Sequence, residues 1–296
     1  MRPENAARQE HQEAVVELSG NVRIASLWRY PVKSMAGEQV LEIDVSSRGL
    51  NGDRAFALID KCANKVGSAK NAGRFGPLLK CRAHFSEEPG PNGPGSVTMA
   101  MPDGPTVHSE QPDLEAVLNA SFGPDIALVS QAPEGLILEI AAGTLGGKHA
   151  ATTELPVSSA SPAGTLFNYA AVHLVTKSTL RQFEKAFPSS QFEARRFRPN
   201  LILDCDDEGF PENAWIGQTL AVGADLQLRI SIPCPRCVVP TLPLEDLPHD
   251  PSILRSVAEL NSVDLGDFGT LPCLGIYADV IQPGRIRQGD AIRILS

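Results

Sequence analysis

The sequence predicts a mostly β protein with some helix, an α+β fold built as an antiparallel barrel or sandwich. Three observations predict it. Apolar residues come in short runs, several alternating with polar ones as half-buried strands do. Turns rich in Gly and Pro separate those runs, with 25 Gly and 24 Pro among 296 residues. No strand–helix–strand rhythm of a doubly wound sheet runs through the chain.

Residues 1–21 are charged and lack apolar periodicity, so they are expected to form a flexible tail. Ile24–Tyr30 reads as the first strand, ended by Pro31. Val40–Val45 is the second, with Leu41, Ile43 and Val45 alternating against Glu42 and Asp44. A Gly-rich turn leads into Ala55–Asp60. Lys80–Phe85 and Val97–Met101 flank Glu87–Ser96, whose Pro and Gly exclude regular structure and predict a disordered loop. Pro112–Phe122 reads as a short helix with Ser109 or Asp113 near its start. The Gly, Ala, Ser, Thr and Pro of residues 131–165 suit a long connection between two lobes or a loop over a site, and a boundary near 150 sets domains at 22–150 and 151–296. His173–Thr176 reads as strand, and Ser178–Phe187 as a helix capped by Ser178. Asn200–Asp204, Gln218–Val222 and Asp225–Ile232 read as strands, and Ser252–Asn261 as a helix begun at Pro251. Ile276–Ile281, the Pro283-Gly284 turn and Ala291–Leu295 predict a closing hairpin.

Composition removes several classes of function. With 26 Lys and Arg against 35 Asp and Glu, the net charge of −9 argues against broad contact with a nucleic acid polymer. Any anion site must be a local pocket. No apolar run is long enough for a membrane span and the N-terminus is too polar for a signal peptide, so a cytoplasmic protein without membrane contact is expected. The six cysteines, Cys62, Cys81, Cys205, Cys234, Cys237 and Cys273, are expected to be reduced. Neither G-x-G-x-x-G nor G-x-x-x-x-G-K-[ST] is present, which removes the usual nucleotide cradles.

Four constellations carry chemistry. Cys234-Pro235-Arg236-Cys237 is a C-x-x-C pair at a strand end, open to a zinc, redox, reactive-thiol or simply buried reading. Zinc wants a second close pair, which Cys205, Cys273 and His249 do not form in sequence, and Val238-Val239-Pro240 is poor material for the helix of a redox couple. Arg236 favours a reactive thiolate, because a neighbouring cation stabilises it. Arg195-Arg196-Phe197-Arg198-Pro199-Asn200 crowds three guanidiniums, which serve either as an anion clamp or as a solvated turn paired with acids such as Glu193. Arg29-Tyr30-Pro31-Val32-Lys33-Ser34 and Gly49-Leu50-Asn51-Gly52-Asp53-Arg54 bring further cations to strand ends, and Arg74 adds one near the same lobe.

The strings YPVKS, GLNGDRAFALID, RRFRPNLIL, PCPRC, FGTLPCLGIYADV and PGRIRQGD, in that order from about Ile24 to the C-terminus, resemble the MOSC-domain proteins. That family includes the C-terminal domain of molybdenum cofactor sulfurase and the mitochondrial amidoxime reducing component. The resemblance implies a MOSC β-barrel with an N-terminal β-barrel companion, and a molybdenum cofactor (molybdopterin) bound between them. It implies Cys237 as the metal ligand and catalytic residue. Lys33, Ser34, Arg54, Arg198 and Asn200 would hold the cofactor, with Arg196 and Arg236 counted among its cations. Cys234 matches no ligand, and Pro235 stands where some members carry a small polar residue.

What the resemblance implies about activity is a molybdenum-dependent oxidoreductase that reduces small N-oxygenated compounds with electrons from a separate donor protein. His149 and His173 are possible acids, each more often a surface or satisfied core histidine. A second reading, from another class, is a carrier of the cofactor or of a Cys237 persulfide; a third is a tailoring enzyme that reuses the scaffold. Neither an aminotransferase-like segment nor a plant-type C-x₄-C-x₂-C spacing occurs, so sulfur mobilisation and electron supply are expected from elsewhere.

Overall fold

The structure, a computed structural model, describes residues 15–16, 21–90, 93–102, 104–140, 152–157 and 162–295. The largest sheet among them runs Val15–Val16, Ile292–Leu295, Thr219–Val222, Leu226–Pro235, Thr270–Gln282, Val172–Thr176, Leu201–Asp204, Arg23–Arg29 and Glu38–Val40, with Ser262–Asp264 paired to Thr270–Gln282 off that path. Its core holds Ile24, Leu27, Leu174, Leu203, Leu228 and Ile276, all nearly inaccessible. Ala57–Asp60 and Lys65–Val66 join Ile126–Val129, Ile137–Ile140 and Thr153–Pro156 in a second sheet, and Arg82–Phe85, Val97–Ala100 and Thr106–His108 form a third. Leu58, Phe75, Leu78, Met99 and Leu118 fill the space between them. An α+β fold that is mostly β is therefore observed.

Sheet membership does not follow the chain order. Arg23–Arg29 pairs antiparallel with Leu201–Asp204, and Glu42–Ser46 pairs with Gly284–Arg287, so early residues complete the sheets of the C-terminal half. The tail expected at 1–21 includes one paired piece, Val15–Val16 against Leu295 and Ile294.

Several elements differ from the sequence expectation for identifiable reasons. The strand expected at Val40–Val45 is two strands, Glu38–Val40 and Glu42–Ser46, on different sheets; Leu41 between them is 73% exposed, so its place in the alternation signals no burial. The closing hairpin does not form. Thr270–Gln282 already has Leu226–Pro235 on that edge, so Gly284–Arg287 turns to Glu42–Ser46 and Ile292–Leu295 to Thr219–Val222. Among the described residues two strand pairs are parallel: Ile137–Ile140 meets Lys65–Val66 at Ile137 and Lys65, and Val172–Thr176 lies beside Leu201–Asp204 with the helix Lys177–Ala186 in the crossover. Thr176 rather than Ser178 caps that helix, accepting from the Thr179 amide, while Ser178 faces inward and donates to the Asp207 carbonyl. Within 131–165, Ile137–Ile140 and Thr153–Pro156 form an antiparallel pair in place of an unstructured connection. Part of Glu87–Ser96 is ordered by its contacts: Glu88 pairs with Arg29, and the Asn51 side-chain amide donates to the Pro89 carbonyl. The boundary expected near 150 lies outside the described residues.

Candidate functional site

The strand Arg23–Arg29 ends where Pro31 removes a backbone donor, and the next residues zip against the Gly52–Phe56 turn. Lys33 and Phe56 amides donate to the Phe56 and Pro31 carbonyls, and the Arg54 amide donates to Tyr30. Asp53 closes the turn by accepting from the Tyr30 amide at 2.8 Å. Ser34 (φ 67°) and Arg54 (φ 48°) both take the left-handed conformation that aims their side chains to the same side of this junction. Lys33 is buried, and its ammonium donates to the Leu166 carbonyl and to Asn168 Oδ1. Burial, then the charges of Lys70, Arg54 and Arg198, hold its pKa well below the usual lysine range.

The arginine cluster divides into three fates because consecutive positions on a helical turn diverge. Arg195 faces outward and pairs with Glu193, Glu245 and Asp246. Arg196, expected to hold cofactor, is buried, with its guanidinium on the carbonyls of Gln191, Pro240, Leu242 and Pro248. It clasps the segment that follows Cys237. Arg198 sits just past the turn with φ 57°, and that left-handed step swings it inward. Its guanidinium lies 4.3 Å from the Tyr30 ring centroid, with Arg54 over the same ring at 4.6 Å. Both terminal nitrogens of Arg198 are buried without a hydrogen-bond partner among the described residues. Burial and the Arg54 charge push its pKa down to about 10.

Asn200 is almost inaccessible and pins the two halves together. Its side-chain oxygen accepts from the His173 amide at 3.1 Å, and its side-chain nitrogen donates to the Trp28 carbonyl. The strand Leu226–Pro235 runs past the expected Ile232 by bulging against Thr270–Gln282, so Cys234 lies within it and Cys237 beyond its end. Cys234 is fully buried and hydrogen-bonded to the Tyr277 side chain; burial raises both groups. Cys237 is half-buried. Arg236 donates to the carbonyls of Phe197 and Leu274 and to His173 Nε2, so it lines the pocket as a scaffold with its donors engaged. His173, one of the two possible acids, is a buried histidine: burial first and Arg236 second hold its imidazole well below its ordinary pKa, and its Nε2 accepts from Arg236. His149 lies outside the described residues.

These groups converge on one pocket of about 260 Å³. Lys33, Ser34, Arg54, Arg198, Asn200, Arg236 and Cys237 all line it, and Arg196 does not. Lys70, Ser68, Asn168, Tyr169 and Tyr277 line it too, and the sequence reading singled out none of them. Lys70 and Ser68 lie in the Gly67–Asn71 turn, whose mixture of small and polar residues carries no distinctive spacing; Tyr277 stands inside the quoted GIYADV string. Five lining residues are basic and none is acidic, in a chain of net charge −9. Such a pocket suits an anionic ligand with a soft centre within reach of one thiol. Among the described residues no three His, Cys, Asp or Glu side chains cluster to hold a metal ion, so a metal here would need further ligands of its own.

Residues 161–293 match the MOSC domain and residues 21–106 the MOSC N-terminal beta barrel domain, together most of the chain. Among solved structures, the YUAD protein from Bacillus subtilis is similar over 96% of this chain and 99% of its own, at 12% identity and TM-score 0.43. YiiM from Geobacillus stearothermophilus is similar over 43% of this chain and 55% of its own (19% identity, TM-score 0.30), and YiiM from Escherichia coli over the same shares (14% identity, TM-score 0.27). No curated protein matches the chain. No described helix is long and apolar enough to cross a membrane.

Proposed function

The chain belongs to the MOSC-domain proteins, its MOSC domain preceded by that family's N-terminal beta barrel domain, and from this premise we propose that the basic pocket binds a molybdenum–pterin cofactor and reduces small N-oxygenated compounds. The observation that carries the reading is Arg198, whose two terminal nitrogens are buried with no acceptor among the described residues, beside a pocket whose described lining holds no Asp or Glu. A buried guanidinium left so costs stability unless a ligand accepts from it, and the phosphate of a pterin cofactor is such an acceptor. The donor set fits the group. Arg54 and Arg198 would hold the phosphate, Lys33 and Ser34 would offer directed polar contacts, and Cys237 would give a soft ligand to a metal otherwise carried by the cofactor.

When bound, the cofactor supplies a centre that takes an oxygen atom and exchanges two electrons. The net change is R–NHOH with two electrons and two protons giving R–NH₂ and water; the N–O bond breaks, and a separate donor protein supplies the electrons. The chain's residues hold and orient: Asn200 locks Trp28 to His173, and Arg236 fixes the carbonyls on either side of the thiol segment. Arg196 clasps the residues after Cys237, so the thiol is presented from a rigid loop.

A second reading, a carrier of the cofactor or of a persulfide, is favoured by one observation, the half-exposed Cys237. Molybdenum and pterin analysis of the purified protein, then reduction of a hydroxylamine with an artificial electron donor, separates the two. Stoichiometric molybdenum with turnover supports the reductase, and sulfane sulfur without molybdenum supports the carrier. Cys237→Ser abolishes metal-dependent activity and Cys234→Ser only weakens it; equal loss from both defeats the assignment.

A further inference from the structure

Tyr30 stands where three of the site's strings meet. Its amide donates to Asp53 at 2.8 Å, its carbonyl accepts from the Arg54 amide at 2.7 Å, and its hydroxyl donates at 3.1 Å to the carbonyl of Pro199, the residue after Arg198. The ring is buried, and two guanidinium carbons lie over it, that of Arg198 at 4.3 Å and that of Arg54 at 4.6 Å from the centroid. Space for the ring is reserved by Gly37, where an added Cβ would come within 2.7 Å of a ring carbon. Tyr30 itself stands behind the lining of the pocket and is not part of it.

The two guanidiniums depend on this ring unequally. Arg54 is also held by Asp53, by Asn200 Oδ1 at 3.4 Å and by the Arg198 carbonyl at 3.3 Å. Arg198 has no hydrogen-bond acceptor among the described residues, so its charge rests on the π face alone while no anion is bound. Two like charges held together out of water repel, and burial with the Arg54 charge lowers the Arg198 pKa accordingly. An aromatic face offsets part of that repulsion, and it does so without an acceptor that an incoming anion would have to displace. The hydroxyl remains a donor, because burial pushes the Tyr30 pKa up to about 12 against the pull of Arg198 and Arg54.

We propose that Tyr30 is the positioning residue of the anion site: its ring holds the Arg198 and Arg54 guanidiniums together at the pocket before any anion arrives, and its hydroxyl fixes the turn that carries Arg198. This rests on the anion-binding part of the reading above and is independent of the reaction.

Calorimetric titration of the full, cofactor-free chain with inorganic phosphate at constant ionic strength tests the assignment. Tyr30→Phe keeps the ring and is expected to bind phosphate within about threefold of the unaltered protein, whereas Tyr30→Leu is expected to bind it roughly tenfold more weakly. A second set of variants keeps the shape of the site, so that folding is not at stake. Phenylalanines with one, two and three ring fluorines, placed at position 30 by stop-codon suppression, draw negative charge from the π face. Phosphate affinity is expected to fall stepwise along that series, by about tenfold at its end, while the melting temperature without phosphate stays nearly constant. In an Arg198→Ala background the series is expected to lose most of its slope. Affinity that ignores fluorination, a slope that Arg198→Ala leaves intact, or equal losses from Tyr30→Phe and Tyr30→Leu overturns the role of the ring; if Arg198→Ala still weakens phosphate binding, the anion site itself stands. Phosphate binding that is absent from the unaltered protein, or that Arg198→Ala does not weaken, overturns both.

Discussion

Arg196 and Arg198 stand two positions apart and have opposite duties, and this separates their variants. Arg196→Ala removes donors from four backbone carbonyls and leaves them unpaired. That change is expected to destabilise the protein by about 2–4 kcal/mol in a urea titration. Arg198→Ala removes nitrogens that have no protein acceptor, so the melting temperature of cofactor-free protein is expected to hold or rise, while cofactor content after purification falls. A collapse of folding with unchanged cofactor content would return Arg198 to a structural role. The cysteines make a second expectation. Cys237 and the exposed Cys62 are expected to react with iodoacetamide in the native, cofactor-free protein. Cys81 and Cys273, which burial pushes up to about 12, are expected to stay unlabelled until denaturant is added, as is Cys234; peptide mass mapping reads the pattern. The motifs made Lys33, Ser34, Arg54 and Cys237 legible from sequence, because each sits in a string of distinctive neighbours. The RRFRPN string named Arg198 and Asn200 as well, but it could not show that Arg196 turns instead to backbone carbonyls while the left-handed step at Arg198 carries that residue to the pocket.

Among the elements, the cap of Lys177–Ala186 carries an unusual load. Glu212 is buried beneath it and accepts from the hydroxyls of Thr176 and Thr179, both at 2.7 Å. Burial raises its carboxyl pKa above 4.5, so over a window above that value the folded chain keeps a proton that the unfolded chain has released. Stability attached to this group therefore falls as pH rises through the window. Glu212→Gln is expected to flatten that part of a melting-temperature profile against pH, and an unchanged slope would exclude Glu212 as its source. The same region shows where sequence reading stopped. The helix was legible from Leu180, Phe183 and Phe187, but Thr176 and Ser178 are equivalent caps in sequence and differ only in what Glu212 and Asp207 offer them. Leu41 teaches a related lesson: alternation promised an inward side chain, and the change of sheet between Val40 and Glu42 turned it to solvent.

For the whole molecule, the two barrels are joined by more than a linker. Arg82 reaches Glu245, which also pairs with Arg195, and Ala36, Ala69 and Leu79 pack on Leu244 and Leu247. The segment between Cys237 and the helix Ser252–Leu260 is thereby held by both halves. Residues 151–296 expressed alone lose the partner of Leu201–Asp204 and leave a bare strand edge. That fragment is expected to aggregate or to give poorly dispersed amide NMR resonances, while the full chain gives sharp, dispersed ones. The pairing of Arg23–Arg29 with Leu201–Asp204 also sets a timetable. During synthesis at roughly 5–20 residues per second, the first strand emerges on the order of ten seconds or more before its neighbour exists. Newborn chains thus spend that interval with an open hydrophobic ribbon, so yield in a cell is expected to depend on chaperone supply and on growth temperature, even for a protein whose finished state is stable.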